Sequence, residues 1–202
     1  MILQAIGLAT ALAAAPEAPP ALSYTDEECA RLDAGEAVSR EEPWQERTGI
    51  VAAILIDAPA EVVWRQVIDY DAYVQFMPYV TASSTDKVIA ANDHTDIDCS
   101  MELTTKGFVT RYDVRNHWYP DEGFMQFELL PSHAGPLKHA DGYWRVEPWQ
   151  KDPSRTMLAY RLDVELPWYV PAFAWDMASN RLPRVVHLLA KRAEADARGE
   201  RD

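Results

Sequence analysis

Two runs of the chain space nitrogen and oxygen donors closely enough to share one ligand. His94-x-Asp96-x-Asp98 alternates an imidazole with two carboxylates, which puts all three on one face of an extended strand. Such a set could offer oxygen and nitrogen ligands to a metal. His133, His139 and Asp141 make a second, looser set around residues 131–142. The simpler reading of both is a solvated sheet face and a polar loop, so spacing alone assigns no metal and no cofactor. Nucleophile and phosphate chemistry lack their signatures: there is no G-x-S-x-G elbow, P-loop, G-x-G-x-x-G or H-E-x-x-H. Arg111 and Arg115 alternate with Tyr112 and Val114 and are expected to face solvent. No catalytic residue is assigned. Cys29 and Cys99 permit one disulfide in an oxidising compartment; two unpaired, packed thiols are the other outcome.

Composition narrows the partners. A formal charge of -13 argues against nucleic acid, whose affinity comes from clustered Lys and Arg, and against electrostatic adsorption to anionic lipid. Hydrophobic residues at 48% and charged residues at 25% describe a globular chain, long enough for one domain with a sizeable core. Residues 2–15, ILQAIGLATALAAA, form an apolar run too short to span a bilayer but suited to a signal-peptide core, with Ala11-Leu12-Ala13 as a cleavage pattern. No Lys or Arg precedes the run, against the usual pattern. Export, with a periplasmic location, is expected; an uncleaved anchor or a cytosolic N-terminal segment is the alternative. The chain divides into 1–23 (signal or anchor plus a Pro/Ala linker), 24–45 (short helix and extension), 46–197 (main domain) and a polar tail, 198–202.

The elements that would position these side chains read as α+β. Thr25 and Glu28 form a capping box for a short helix ending near Gly35. Residues 36–49 look like an extended segment and a connection, and 48–56 form the first long strand. Pro59 starts an amphipathic helix carrying Val63, Trp64, Val67 and Tyr70, and 71–76 make a second short one. Strands follow at 79–90, 95–106, 108–119, 123–130, 139–148 and 156–166. Ile97, Cys99, Met101 and Leu103 share one face, as do Leu158, Tyr160, Leu162 and Val164. One apolar and one polar face is the pattern of an antiparallel sheet wetted on its outside. A long C-terminal helix over 171–197, kinked or divided at Pro183, would cover the apolar face.

Ala58-Pro59-Ala60-Glu61-Val62-Val63-Trp64, Asp69-Tyr70-Asp71-Ala72-Tyr73, Phe76-Met77-Pro78 and Gly142-Tyr143-Trp144-Arg145-Val146-Glu147-Pro148, in this order, resemble the helix-grip superfamily of START domains, polyketide cyclases and coenzyme Q-binding proteins. The resemblance covers about residues 46–195. It implies a curved antiparallel sheet wrapped around a long C-terminal helix, enclosing a cavity for a lipid, sterol, quinone or polyketide. It further implies that Phe76 and Met77 edge the opening and that Trp118, Phe127, Trp144 and Tyr160 project from the concave face. Trp168, Tyr169, Phe173 and Met177 would supply the other lip. The expected function is non-catalytic binding or transport of a hydrophobic small molecule by a monomer, with transient membrane contact; an aromatase- or cyclase-type enzyme in the same cavity is the alternative.

Overall fold

A computed structural model describes residues 18–105, 108–131, 135–165 and 181–200. Among them eight strands form one antiparallel sheet: β1 (Val38–Trp44), β2 (Arg47–Ile56), β3 (Val80–Ala90), β4 (Thr95–Thr105), β5 (Phe108–Tyr119), β6 (Phe124–Leu129), β7 (His139–Trp149) and β8 (Asp152–Glu165). Their order is β1-β2-β8-β7-β6-β5-β4-β3. In the meander from β3 to β8, short turns join β3 to β4, β5 to β6 and β7 to β8. Gly123, for example, takes φ 71 in the turn between β5 and β6, where a side chain would be strained. The helices are α1 (Asp26–Asp33), α2 (Ala60–Val67), α3 (Tyr73–Phe76) and the C-terminal α4 (Leu182–Ala197). The sheet is curved and α4 lies in its grip, so the α+β helix-grip architecture expected from the sequence holds.

Local chemistry starts α1 and α4. The Thr25 side chain accepts from Glu28 N at 3.2 Å while Glu28 Oε2 accepts from Thr25 N at 2.8 Å, so the expected capping box closes α1. Pro183 sits in the first turn of α4, where its missing N–H is no loss. Leu182, Val186, Leu189, Ala190 and Ala193 recur at helical spacing and are buried against the concave face. Full burial of Val186 and Leu189 contributes about 1.5–3 kcal/mol each.

The sheet buries apolar residues on both sides, which the expectation of a wetted outer face missed. Ile54, Ile56, Cys99, Met125, Trp144 and Leu158 join α2 and α4 on the concave side. Val51, Ala53, Leu55, Met157 and Ala159 form a second core on the convex side, beneath Leu22, Cys29 and Leu32. Segment 36–49, read as extension and connection, contributes β1, the edge strand paired with β2. Cys29 and Cys99 are both free and buried, and they lie in cores on opposite faces of the sheet. A disulfide needs Cα atoms within about 7 Å, which a sheet between them forbids. The permitted bridge is therefore not formed.

Outside that second core the convex face mixes buried aromatics such as Trp44, Phe124 and Tyr143 with polar groups, one of which carries a pH signature. Asp141, facing Asp163 and His139, has its pKa raised above the ordinary carboxylate value, first by burial and then by the Asp163 charge, against opposing His139 and Arg161. A raised folded-state pKa means that its contribution to stability is fully present below the unfolded pKa and lost as pH rises through the folded one. Asp141→Asn should therefore stabilise the protein at pH 7, with the gain vanishing in acid. Urea midpoints at pH 7 and pH 3.5 test this; an equal shift at both would refute it.

Candidate functional site

The concave face is filled unevenly. Helix α4 packs mainly on β2, β8 and α2, and the described residues leave the curve of the sheet beyond its first turn unfilled. A cavity of about 430 Å³ occupies that space. Its walls come from inward positions of four elements: Cys99, Met101 and Leu103 of β4, Tyr112, Val114 and Asn116 of β5, Trp144 of β7, and Tyr160, Leu162 and Val164 of β8. Phe127, Tyr70, Tyr73, Leu182 and Val185 close it further. Gly142 gives the wall its shape, because a Cβ there would stand 2.7 Å from Phe127 Cζ and closer still to the Arg161 carbonyl.

Polar groups in this cavity fall into two sets. The first is self-satisfied. Tyr70 donates its hydroxyl proton to Asn116 Oδ1 at 2.8 Å, and Asn116 Nδ2 donates to the Ile97 carbonyl at 2.9 Å. Tyr73 donates to the Val67 carbonyl at 2.6 Å. The second set has no partner among the described residues: the hydroxyls of Tyr112 and Tyr160, both held protonated because burial raises their pKa. Cys99 is likewise pushed up to about 12 by burial, so its thiol is a poor nucleophile near neutrality. No carboxylate or imidazole is found among the described lining residues. Arg181, just before α4, is the permanently charged one, with its guanidinium 3.6 Å from the centroid of the Tyr79 ring. Burial lowers its pKa, though not to where an Arg loses its charge.

Of the residues expected at a ligand site, Phe127, Trp144 and Tyr160 line the cavity. Trp144 and Tyr160 are cross-strand partners with rings stacked at 3.9 Å. Trp118 does project from the concave face, but it lies further along β5, under α2, with its ring 5.7 Å from Trp64. Phe76 and Met77 do not edge the cavity. Met77 is buried in the main core, and Phe76 turns toward Tyr73 and the Arg192 guanidinium, 4.4 Å away. The chain reaches the cavity only afterwards, at Pro78 and Tyr79, the latter in the left-handed region with φ 68. Trp168, Tyr169, Phe173 and Met177 lie outside the described residues, as do His133 and residues 1–17.

Residues missed from the sequence are Tyr70, Asn116, Tyr112 and Arg181. Alternation along β5 placed Tyr112 opposite in face to Arg111 and Arg115, so a signal for it existed. Those arginines do face outward, pairing with Glu102 and Asp98. Two groups of potential metal ligands also come together on the convex side: His94 and Asp96 with His117, and His139 and Asp141 with Asp163. Asp98 stays apart from the first group in a two-pronged pair with Arg115 at 2.7 and 2.8 Å.

Residues 56–186 match the family described as polyketide cyclase / dehydrase and lipid transport. No curated protein matches the sequence. Among solved structures, the STAR-related lipid transfer protein from Xanthomonas axonopodis is 16% identical, with a TM-score of 0.58 over 78% of this chain and 93% of that one. A START superfamily protein from Mycobacterium smegmatis is 20% identical, with a TM-score of 0.53 over 83% and 100%. The di-domain ARO/CYC StfQ of the steffimycin biosynthetic pathway is 13% identical, with a TM-score of 0.53 over 86% of this chain and 54% of that one. At such identities these likenesses concern the fold alone.

Proposed function

The chain belongs to the polyketide cyclase / dehydrase and lipid transport family, and on that footing we propose that it binds and carries one hydrophobic small molecule in the cavity beside α4. The observation that carries this reading is the cavity itself. Its 430 Å³ falls within the ~300–1,000 Å³ of ligand sites, and most of its wall is aliphatic or aromatic. Transfer of a ligand into it gains about 25 cal/mol per Å² of apolar area, less the cost of ordering. The hydroxyls of Tyr112 and Tyr160 favour a ligand with one or two uncharged oxygens, such as a quinone, a sterol or a polyketide. Phe108 and Val109, 61% and 50% exposed, extend the wall into solvent and suit transient contact with a lipid surface. The apolar run at residues 2–15 supports a site of action outside the cytoplasm.

The test is uptake from vesicles doped with a sterol, an isoprenoid quinone or a fatty acid, read by native mass spectrometry of the full chain. A one-to-one complex with at least one of them is expected. No co-purifying ligand and no uptake would overturn the reading. With an oxygen-bearing ligand, Tyr160→Phe should weaken binding about two- to tenfold and leave stability nearly unchanged. Tyr70→Phe should instead cost about 1–3 kcal/mol of stability, since it strands the buried Asn116 carbonyl oxygen.

A second reading, an aromatase- or cyclase-type enzyme in the same cavity, is favoured by Arg181, whose guanidinium could polarise a substrate carbonyl. Conversion of a bound polyketone by the wild type and not by Arg181→Met would decide for it.

A further inference from the structure

The convex face carries a cluster that the cavity does not use. We propose that His94, Asp96 and His117 bind one divalent transition-metal ion, of which zinc is the natural probe. Asp96 and His117 are direct cross-strand partners in the β4–β5 register, and both point away from the cavity. His94 precedes Asp96 by two residues and so shares its face. Two ring nitrogens converge on one carboxylate oxygen: His117 Nδ1 lies 2.7 Å from Asp96 Oδ1, and His94 Nε2 lies 3.2 Å from the same atom. In a tetrahedral zinc site with bonds of 2.0–2.1 Å, ligand atoms stand about 3.3 Å apart. The three side chains are each about one-fifth exposed, within reach of an ion from solvent.

The proton inventory argues for a cation. The far nitrogen of each ring also faces a carboxylate: His94 Nδ1 is 2.8 Å from Asp93 Oδ1, and His117 Nε2 is 3.7 Å from Glu128 Oε1. A neutral imidazole has one N–H, so it can donate to only one of its two carboxylates, leaving a lone pair aimed at the other. Among the described residues no Lys or Arg pairs with Asp96, because Arg115 is committed to Asp98. A divalent ion between the rings and Asp96 would take both lone pairs aimed at that carboxylate. His94 Nδ1 then donates outward to Asp93, in the carboxylate–histidine–metal arrangement that orients ligating imidazoles, while His117 Nε2 faces Glu128 at 3.7 Å. His94 is already held for this: it stacks on Tyr119 at 5.1 Å, which stacks on Phe124 at 4.7 Å. The Ala91 N–H donates to the His94 carbonyl at 2.9 Å and fixes the turn that delivers it. Three protein ligands leave one position open to water. The ion would sit directly behind Asn116, the polar floor of the cavity, on the next residue of β5.

Only the β4–β5 register reveals the site, since Asp98, the third donor of the sequence run, is replaced by His117 from the neighbouring strand. The competing account is two imidazolium rings held by three carboxylates with no metal. Calorimetric titration of Zn²⁺ into chelator-stripped full-length protein, with Co²⁺ absorption as a second readout, separates the two. One equivalent should bind, with a tetrahedral cobalt spectrum. Affinity should fall at least tenfold in Asp96→Asn and in His117→Gln, both folded by circular dichroism. At a hundredfold excess of zinc over its Kd, the ratio of folded to unfolded protein should rise about a hundredfold. Absence of saturable binding would overturn the proposal. So would undiminished binding in the His94→Gln/His117→Gln double variant, which would place the ion elsewhere, with His139, Asp141 and Asp163 as the other candidates.

Discussion

Arg161→Ala should destabilise the fold by about 2–5 kcal/mol, the range expected when a long, fully buried side chain is truncated. Arg161 points outward from β8 yet is fully buried. Its guanidinium lies 5.3 Å from the Trp44 ring centroid, and a Cβ on Gly49 would come within 2.8 Å of its Cζ. It donates to the carbonyls of Glu42 and Arg47, both at 3.2 Å, and so grips both sides of the β1–β2 turn. That turn is costly by itself. Gln45 and Glu46 at its centre have φ 50 and 64, a geometry that ordinarily calls for Asn-Gly. Arg161 thus ties the edge strand to the sheet and offsets backbone strain two strands away. Its positive charge also opposes the rise of the Asp141 pKa, so the alanine variant should lose more stability at pH 7 than in acid. Arg161→Met keeps the stem against Trp44 and should lose less. Urea unfolding of the three proteins tests this, and an alanine variant as stable as wild type would refute it.

None of that network is visible in the sequence, where Arg161 is one more polar residue alternating with Tyr160 and Leu162. Alternation gives the face of a residue but not what covers that face, and the cover here comes from residues 22–44. The same limit explains the other errors. Trp118 was on the correct face, but its height along β5, under α2 rather than beside the cavity, depends on where α2 crosses the sheet. Phe76 and Met77 stand two residues too early because a short helix can present either of its sides. What proved legible were period-two patterns with long runs, such as Cys99-Met101-Leu103 and Tyr160-Leu162-Val164, which supply two cavity walls. The Pro59 start of α2 and the Thr25-Glu28 box were legible too, because their chemistry is local. The Tyr70–Asn116 bond and the meeting of His117 with Asp96 need a register, which no single strand contains.

Leu103→Trp should abolish ligand uptake, lowering it at least tenfold, while leaving the melting temperature unchanged or a few degrees higher. Leu103 lies on β4 between Val80 and Thr110, with its side chain on the cavity wall. An indole added there enters volume that the described residues leave open, so it gains dispersion contacts without pushing their packed atoms apart. The same enlargement at Leu158 tests the contrast. Leu158 faces the same side of the sheet but is fully buried in the core gripped by α4. Leu158→Trp has no void to enter and should cost about 1–3 kcal/mol or more through overpacking. For a chain of this size, each kcal/mol moves the melting temperature by about 2–4 °C. The pair therefore reads cavity and core separately. If Leu103→Trp is as destabilising as Leu158→Trp, the concave face is packed there and the cavity is not a binding site. If Leu103→Trp is stable and still takes up ligand, the ligand lies elsewhere. Stability kept and uptake lost is the outcome that only an empty, ligand-sized space beside α4 produces.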